Sequence, residues 1–249
     1  MKQLLLICIL WCGLKSVSLA IPPKLLHTGN TGVNIYSDDL PLKLIPATKK
    51  SNLPVFFMIS GDGGWTSFDQ SFAEALAAKG VPVVGLDAQK YFWSAKTPEK
   101  TAEELSKAIS HYMAQLNKDK VVLVGYSFGG SIVPFIANRL PAALKAQLAG
   151  VLAISPDVLA DFEIHVADML NFGGPRGKYN VVAEMKKAKA LQPVVFFGKS
   201  EGNSIAGHFI KEGCKTVILP GNHHYGNDFH GLSEAMIKNI DINQTTHIN

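Results

Sequence analysis

From residue 54 onward the chain alternates short, unbroken apolar runs with longer stretches in which apolar residues recur every three or four positions. Val55–Ile59, Val81–Leu86, Val121–Val124, Gly150–Ile154, Pro193–Phe197 and Thr216–Leu219 have strand length and almost no polar interruption. Such runs fit strands buried on both faces. Between them, Ser71–Lys79, Pro98–Leu116, a stretch from near Gly129 to Leu140, Tyr179–Leu191 and Gly231–Ile240 carry helical spacing. In the longest, Ala102, Leu105, Ile109, Tyr112 and Leu116 fall on one face. This alternation predicts an α/β fold, a mostly parallel sheet covered by helices on both sides. Ahead of it, Leu25–His27, Val33–Tyr36 and Leu40–Ile45 are separated by Gly29-Asn30-Thr31-Gly32 and Asp38-Asp39, which predicts a small antiparallel edge. Ligands of parallel α/β sheets bind beyond the carboxyl ends of the strands, so chemistry is expected in the post-strand loops.

Composition adds compartment more than fold. At 249 residues, 47% apolar and 18% charged, the chain is long and apolar enough for one large folded domain and is not of the disordered type. Residues 1–20 read as a secretory leader: Lys2 gives the positive start, Leu4–Leu14 the apolar stretch, and Ser18-Leu19-Ala20 a small-x-small cleavage site. The stretch is short for a membrane span, so a periplasmic protein of residues 21–249 is expected. Losing Lys2 and Lys15 takes the formal charge from +4 to +2, a balance that does not call for nucleic acid. Cys8 and Cys12 leave with the leader, and Cys214 remains as a core thiol with no disulfide partner. Lys186, Lys187 and Lys189 read as the solvated face of a helix.

The chemistry gathers at Gly125-Tyr126-Ser127-Phe128-Gly129. An apolar run, then G-x-S-x-G, then a helix is the setting of a nucleophile elbow, as in the α/β-hydrolase fold. A serine hydroxyl needs a base to remove its proton, and the base needs an acid to orient it. In that fold the chain order is serine, acid, histidine. Gly198-Lys199-Ser200-Glu201 follows one late strand and Gly221-Asn222-His223-His224 the next, so the order is met. Glu201 is the candidate acid, with Asp157 in Ser155-Pro156-Asp157 as its rival. His223 is the candidate base ahead of His224, which either packs beneath it or meets substrate. Donors for the oxyanion are expected from the Phe128 amide and from the Asp62 amide in Ser60-Gly61-Asp62-Gly63-Gly64-Trp65. No Walker-type lysine follows that glycine loop, so a phosphate cradle is not expected there, nor is any cofactor. A metal set of His223, His224, Asp228 and His230 is the more elaborate reading of the same histidines, and no metal is expected.

Several segments together resemble the bacterial virulence protein VirJ/AcvB family: Ser-Gly-Asp-Gly-Gly-Trp (60–65), Tyr-Phe-Trp-Ser-Ala-Lys-Thr-Pro-Glu (91–99), Gly-Tyr-Ser-Phe-Gly-Gly (125–130), Asp-Phe-Glu-Ile-His-Val (161–166) and Pro-Gly-Asn-His-His-Tyr (220–225). The likeness runs from about residue 54 to 240, and the chain has the size of the shorter VirJ members. It implies an exported α/β-hydrolase associated with type IV secretion, acting on aminoacylated phosphatidylglycerol, notably the lysyl form, at the inner-membrane surface. Ser127 matches the nucleophile and His223-His224 the histidine pair. The family pattern has two acids near Glu201, and here the second is Asn203. Carboxylates and aromatic faces suit an ammonium headgroup. Trp65, Tyr91, Trp93 and His224 are therefore candidate substrate-binding residues, with Asp62, Asp69, Asp161 and Glu163 as further elements. Tyr91-Phe92-Trp93 reads equally as core aromatics or as a substrate-binding wall, with a loop resting at a membrane interface as the further alternative. A general carboxylesterase or lipase, or a non-catalytic secretion-associated binding protein, are the competing readings.

Overall fold

The computed structural model describes residues 39–164, 177–201 and 203–240. The leader and the segments at 25–27 and 33–36 lie outside the described residues, as do His165 and Val166. In chain order the strands are β1 (Leu42–Ile45), β2 (Val55–Ile59), β3 (Val83–Leu86), β4 (Val121–Tyr126), β5 (Leu148–Ile154), β6 (Leu159–Ala160), β7 (Tyr179–Asn180), β8 (Val194–Gly198) and β9 (Lys215–Leu219). The helices are α1 (Ser67–Ala78), α2 (Ala88–Tyr91), α3 (Pro98–Gln115), α4 (Phe128–Arg139), α5 (Ala142–Lys145), α6 (Val181–Lys187), α7 (Asn203–Lys211) and α8 (Phe229–Lys238).

Seven strands form one sheet in the order β1-β3-β2-β4-β5-β8-β9, while β6 and β7 make a separate pair. Within the seven-stranded sheet only β1 runs antiparallel, against β3, as the edge expected from Leu40–Ile45. The others are parallel. Each strand sends alternate residues to opposite faces. In β2, Val55, Phe57 and Ile59 join a core with α3, α4, α6 and α7, whereas Phe56 and Met58 join one with α1 and α8. Burying both faces this way is worth roughly 1.5–3 kcal/mol for each large apolar side chain.

From β2 the chain goes outward to β3, then crosses back to place β4 on the other side of β2. That reversal opens a crevice at the carboxyl ends of β2 and β4. The loop at 60–65 and the turn at 125–129 both leave the sheet there, with Ile59 paired to Gly125.

Helix α1 starts four residues earlier than its periodicity predicts. Thr66 caps it, and the Asp69 carboxylate accepts from the Thr66 amide at 2.9 Å and hydroxyl at 2.7 Å, a cap that outweighs the apolar spacing. The stretch expected as one helix from Tyr179 divides. Tyr179 and Asn180 pair with β6, Asn180 accepts from the Ala183 amide at 2.9 Å to start α6, and a tighter turn of helix closes it over Ala188–Leu191.

Candidate active site

Strand β4 passes into α4 through a single residue. Ser127 therefore takes φ 54° and ψ −115°, a left-handed conformation rare for a side chain larger than glycine's. Such a conformation costs on the order of 1–3 kcal/mol and persists only where the surroundings enforce it. Here the backbone does: the Ser127 amide donates to the Ile154 carbonyl at 2.8 Å, and the Gly129 amide to the Ser60 carbonyl at 3.2 Å. A Cβ on Gly125 would collide with the Gly129 carbonyl, and one on Gly129 with the Ile59 carbonyl. The two glycines of the motif are thus required by close backbone approach.

The Ser127 hydroxyl lies 3.1 Å from His223 Nε2, and His223 Nδ1 lies 2.8 Å from Glu201 Oε2. An ionised carboxylate only accepts, so Nδ1 carries the ring hydrogen and the bare Nε2 faces the serine. The other Glu201 oxygen accepts from the Ser155 hydroxyl at 2.8 Å and from the Gly198 amide. Burial pushes the Glu201 carboxyl up, but the hydrogen bonds from His223, Gly198 and Ser155 outweigh it and hold the group below its ordinary range. The His223 side chain is 43% exposed and the Glu201 side chain 13%, so the base is open to a substrate while its partner is shielded.

Asp157, the rival acid, is directed elsewhere. It is exposed, its carboxylate accepts from the Val158 amide at 2.8 Å, and its own amide is held by the Ser131 hydroxyl at 2.9 Å. The partner of His223 is Glu201.

Phe128 is the first residue of α4, where an amide has no acceptor within the helix. Gly61 lies against the nucleophile, such that a Cβ on it would sit 3.6 Å from the Ser127 Cβ. The Gly64 amide closes a turn on the Gly61 carbonyl at 3.1 Å, and the buried Ser60 hydroxyl accepts from the Ala88 amide at 3.0 Å. These bonds fix the loop that carries the Asp62 amide, and its Gly61 lies against the Ser127 turn.

Residues 54–244 match the profile of the family described as bacterial virulence protein (VirJ). The chain belongs to this family. No curated protein sequence matches it significantly. Among solved structures, this VirJ-family chain is similar to Est1E from Butyrivibrio proteoclasticus (TM-score 0.55, 15% identity, 81% of this chain and 94% of that one). It is also similar to LpqC, a poly(3-hydroxybutyrate) depolymerase from Bordetella parapertussis (TM-score 0.53, 16% identity, 83% and 85%). A thioesterase domain from the curacin biosynthetic pathway is a third (TM-score 0.52, 13% identity, 79% and 94%). At such identities the likeness is one of fold, and that fold is the α/β hydrolase.

In the VirJ-family structure the expected substrate-binding residues part ways. The Trp65 ring lies on Gly85 of β3 and its N–H donates to Gln70 at 2.8 Å, which gives it a packing role. Tyr91 is 5% exposed and donates to Glu104 at 2.6 Å, with burial pushing its hydroxyl far above the ordinary range. It is a core aromatic, as is Phe92, which meets the Phe128 ring at 5.2 Å. Trp93 is 61% exposed and is the member of that trio available to a ligand or a surface. Asp69 is withdrawn by burial and by its capping bonds to Thr66. Asp161 is bound to the Phe162 amide at 3.0 Å and lies 3.8 Å from Lys178. His224 is exposed and lies beside His223, with Nδ1 at 2.9 Å from the Tyr126 hydroxyl. A hollow of about 490 Å³ at the β1–β3 edge is lined by Lys90, Tyr91, Lys96 and Glu104 among others, and by none of Ser127, His223 or Glu201.

Among the described residues no cluster of His, Cys, Asp and Glu is arranged to hold a metal. Asp228 caps α8 through the Gly231 amide, and His230 pairs with Glu234. Cys214 is half-buried, and burial pushes its thiol up. Three residues of the site went unremarked in the sequence: Tyr126, Ser155 and Tyr225. Tyr126 and Tyr225 stand inside motifs already singled out, and Ser155 is two residues before Asp157. Their bonding partners are distant in sequence, so no local pattern marks them.

Proposed function

We propose that this VirJ-family protein is a serine esterase that hydrolyses the aminoacyl ester of aminoacyl-phosphatidylglycerol, the lysyl form above all. It would work in the periplasm at the outer face of the inner membrane. The observation that carries the esterase reading is the unbroken Ser127–His223–Glu201 hydrogen-bonded chain on an α/β-hydrolase fold. The lipid substrate and its site of action rest on membership of the VirJ family, and export on the Lys2–Ala20 pattern.

The chemistry follows from the geometry. Ser127 Oγ attacks the aminoacyl carbonyl carbon as His223 Nε2 takes its proton, and Glu201 stabilises the imidazolium through Nδ1. The carbonyl oxygen, now negative, meets the Phe128 and Asp62 amides. Collapse breaks the ester bond, and His223 returns the proton to the departing glycerol oxygen. Water, deprotonated by His223, then attacks the acyl-enzyme, frees the amino acid and restores Ser127.

The test is labelling of the mature protein by a fluorophosphonate, beside Ser127→Ala. Labelling that depends on Ser127 is expected, and its absence would return the protein to a binding role in secretion. Purified lysyl- and alanyl-phosphatidylglycerol offered beside simple esters then read the substrate. Lysine release no faster than simple-ester turnover would leave a general carboxylesterase.

A further inference from the structure

Tyr126, the variable position of the G-x-S-x-G motif, touches both the glycine loop and the histidine loop of the site. Its side chain is buried, stacked on Phe68 with centroids 4.2 Å apart, and lies 5.3 Å from the His223 ring. A Cβ on Gly61 would stand 3.6 Å from the same ring, so the phenol also backs the glycine loop. Its hydroxyl is 3.2 Å from the His223 carbonyl and 2.9 Å from His224 Nδ1. Burial first, then the nearby carboxylates of Asp69, Glu201 and Asp62, push that hydroxyl well above its ordinary range, so it keeps its proton.

One proton must serve two contacts. A carbonyl oxygen can only accept, so the phenol hydrogen goes to His223. The bond to His224 is then made only if His224 Nδ1 carries a hydrogen and donates it to the phenol oxygen. Both contacts are satisfied together in a single arrangement, His224 Nδ1–H to Tyr126, and Tyr126 O–H to the His223 carbonyl.

We infer that Tyr126 and His224 are positioning residues, a two-part clamp that fixes the His223 backbone so that Nε2 faces Ser127. The inference rests on the esterase reading and assigns the second histidine a task other than contact with substrate. The clamp holds the base at the distance proton transfer requires, so its loss lowers kcat and leaves KM alone.

The experiment measures fluorophosphonate labelling rates and steady-state hydrolysis of a small soluble ester. Wild type and Ser127→Ala come first. If wild type is not labelled, the esterase reading fails and the clamp with it. Given Ser127-dependent labelling, Tyr126→Phe keeps the ring and removes the hydroxyl, and is expected to lower kcat and the labelling rate about tenfold with KM unchanged. His224→Ala is expected to act similarly, while His224→Asn, whose amide can replace the Nδ1–H donor, stays within about threefold of wild type. The double variant Tyr126→Phe/His224→Ala should be no slower than the slower single variant, because both cut one connection. The clamp is overturned, with the esterase reading intact, if Tyr126→Phe is labelled at the wild-type rate, if His224→Asn is as slow as His224→Ala, or if the two losses multiply. The exposed His224 variants keep the test decisive should Tyr126→Phe fail to fold.

Discussion

Ser127 and Glu201 belong to one hydrogen-bonded chain but are held by different means. The serine turn is fixed by backbone meeting backbone, with Gly125 against the Gly129 carbonyl and Gly129 against Ile59. Glu201 is held by the Gly198 amide and by a side-chain bond from Ser155 on the neighbouring strand's end, which in turn lies 2.7 Å from the Tyr225 hydroxyl. Tyr225 donates onward to the Phe196 carbonyl at 3.1 Å. The first arrangement does not yield to small adjustments, because no rotamer relieves a carbonyl collision. The second depends on hydroxyls whose removal leaves the fold standing and the carboxylate less restrained.

That contrast can be broken at either end. Gly129→Ala is expected to have the largest effect on folding, a loss above about 4 kcal/mol, read as collapse of soluble yield or of the urea midpoint. A midpoint near wild type would mean the turn is as adjustable as the acid loop. Glu201→Gln should fold normally yet lose about a thousandfold to ten-thousandfold in kcat on a simple ester, since an amide favours the wrong imidazole tautomer. A loss under tenfold would move the acid role elsewhere.

Ser155→Ala should be milder, about 1–2 kcal/mol in the urea midpoint, because one buried acceptor loses a donor. It should also alter the acid limb of stability. Glu201 titrates below its ordinary value near 4.5 in the folded protein. Its contribution is therefore present above that value and is lost as pH falls through the lower folded one. Without the Ser155 bond the folded value rises toward the ordinary one, so less of that contribution exists at neutral pH and its loss is complete at a higher pH. Midpoints measured between about pH 7 and pH 3 check the sign. Trp93→Ala should be the smallest change, within about 0.5 kcal/mol in stability, with a soluble ester turned over as before. A fall confined to lipid vesicles would identify Trp93 as part of the lipid-binding surface.

The same division governs what could be read in the chain. The parallel sheet, the elbow and the order of acid and base were legible because each is carried by neighbours in sequence: apolar runs, glycines at fixed offsets, loops after strands. The choice of Glu201 over Asp157 is not written beside the acid, since it depends on Ser155 and His223, both distant in sequence. Helix α7 has no counterpart among the elements predicted from the sequence, because Ser204 and Gly207 weaken its helical pattern, although Ala206 and Phe209 bury into the core. Trp65 and Tyr91 looked like binding aromatics because exposure is not written locally. Gly85, a strand away from Trp65, and Glu104, a helix away from Tyr91, decide where those rings go.

The left-handed backbone at Ser127 has a consequence for how the protein could change over generations. Ser127→Ala removes the hydroxyl but keeps the strained conformation, whereas Ser127→Gly removes both. Selection for stability alone would therefore drift toward glycine at 127 and erase the proposed nucleophile. On the proposed mechanism, serine at that position reflects a demand for reactivity that outweighs the folded state's own preference.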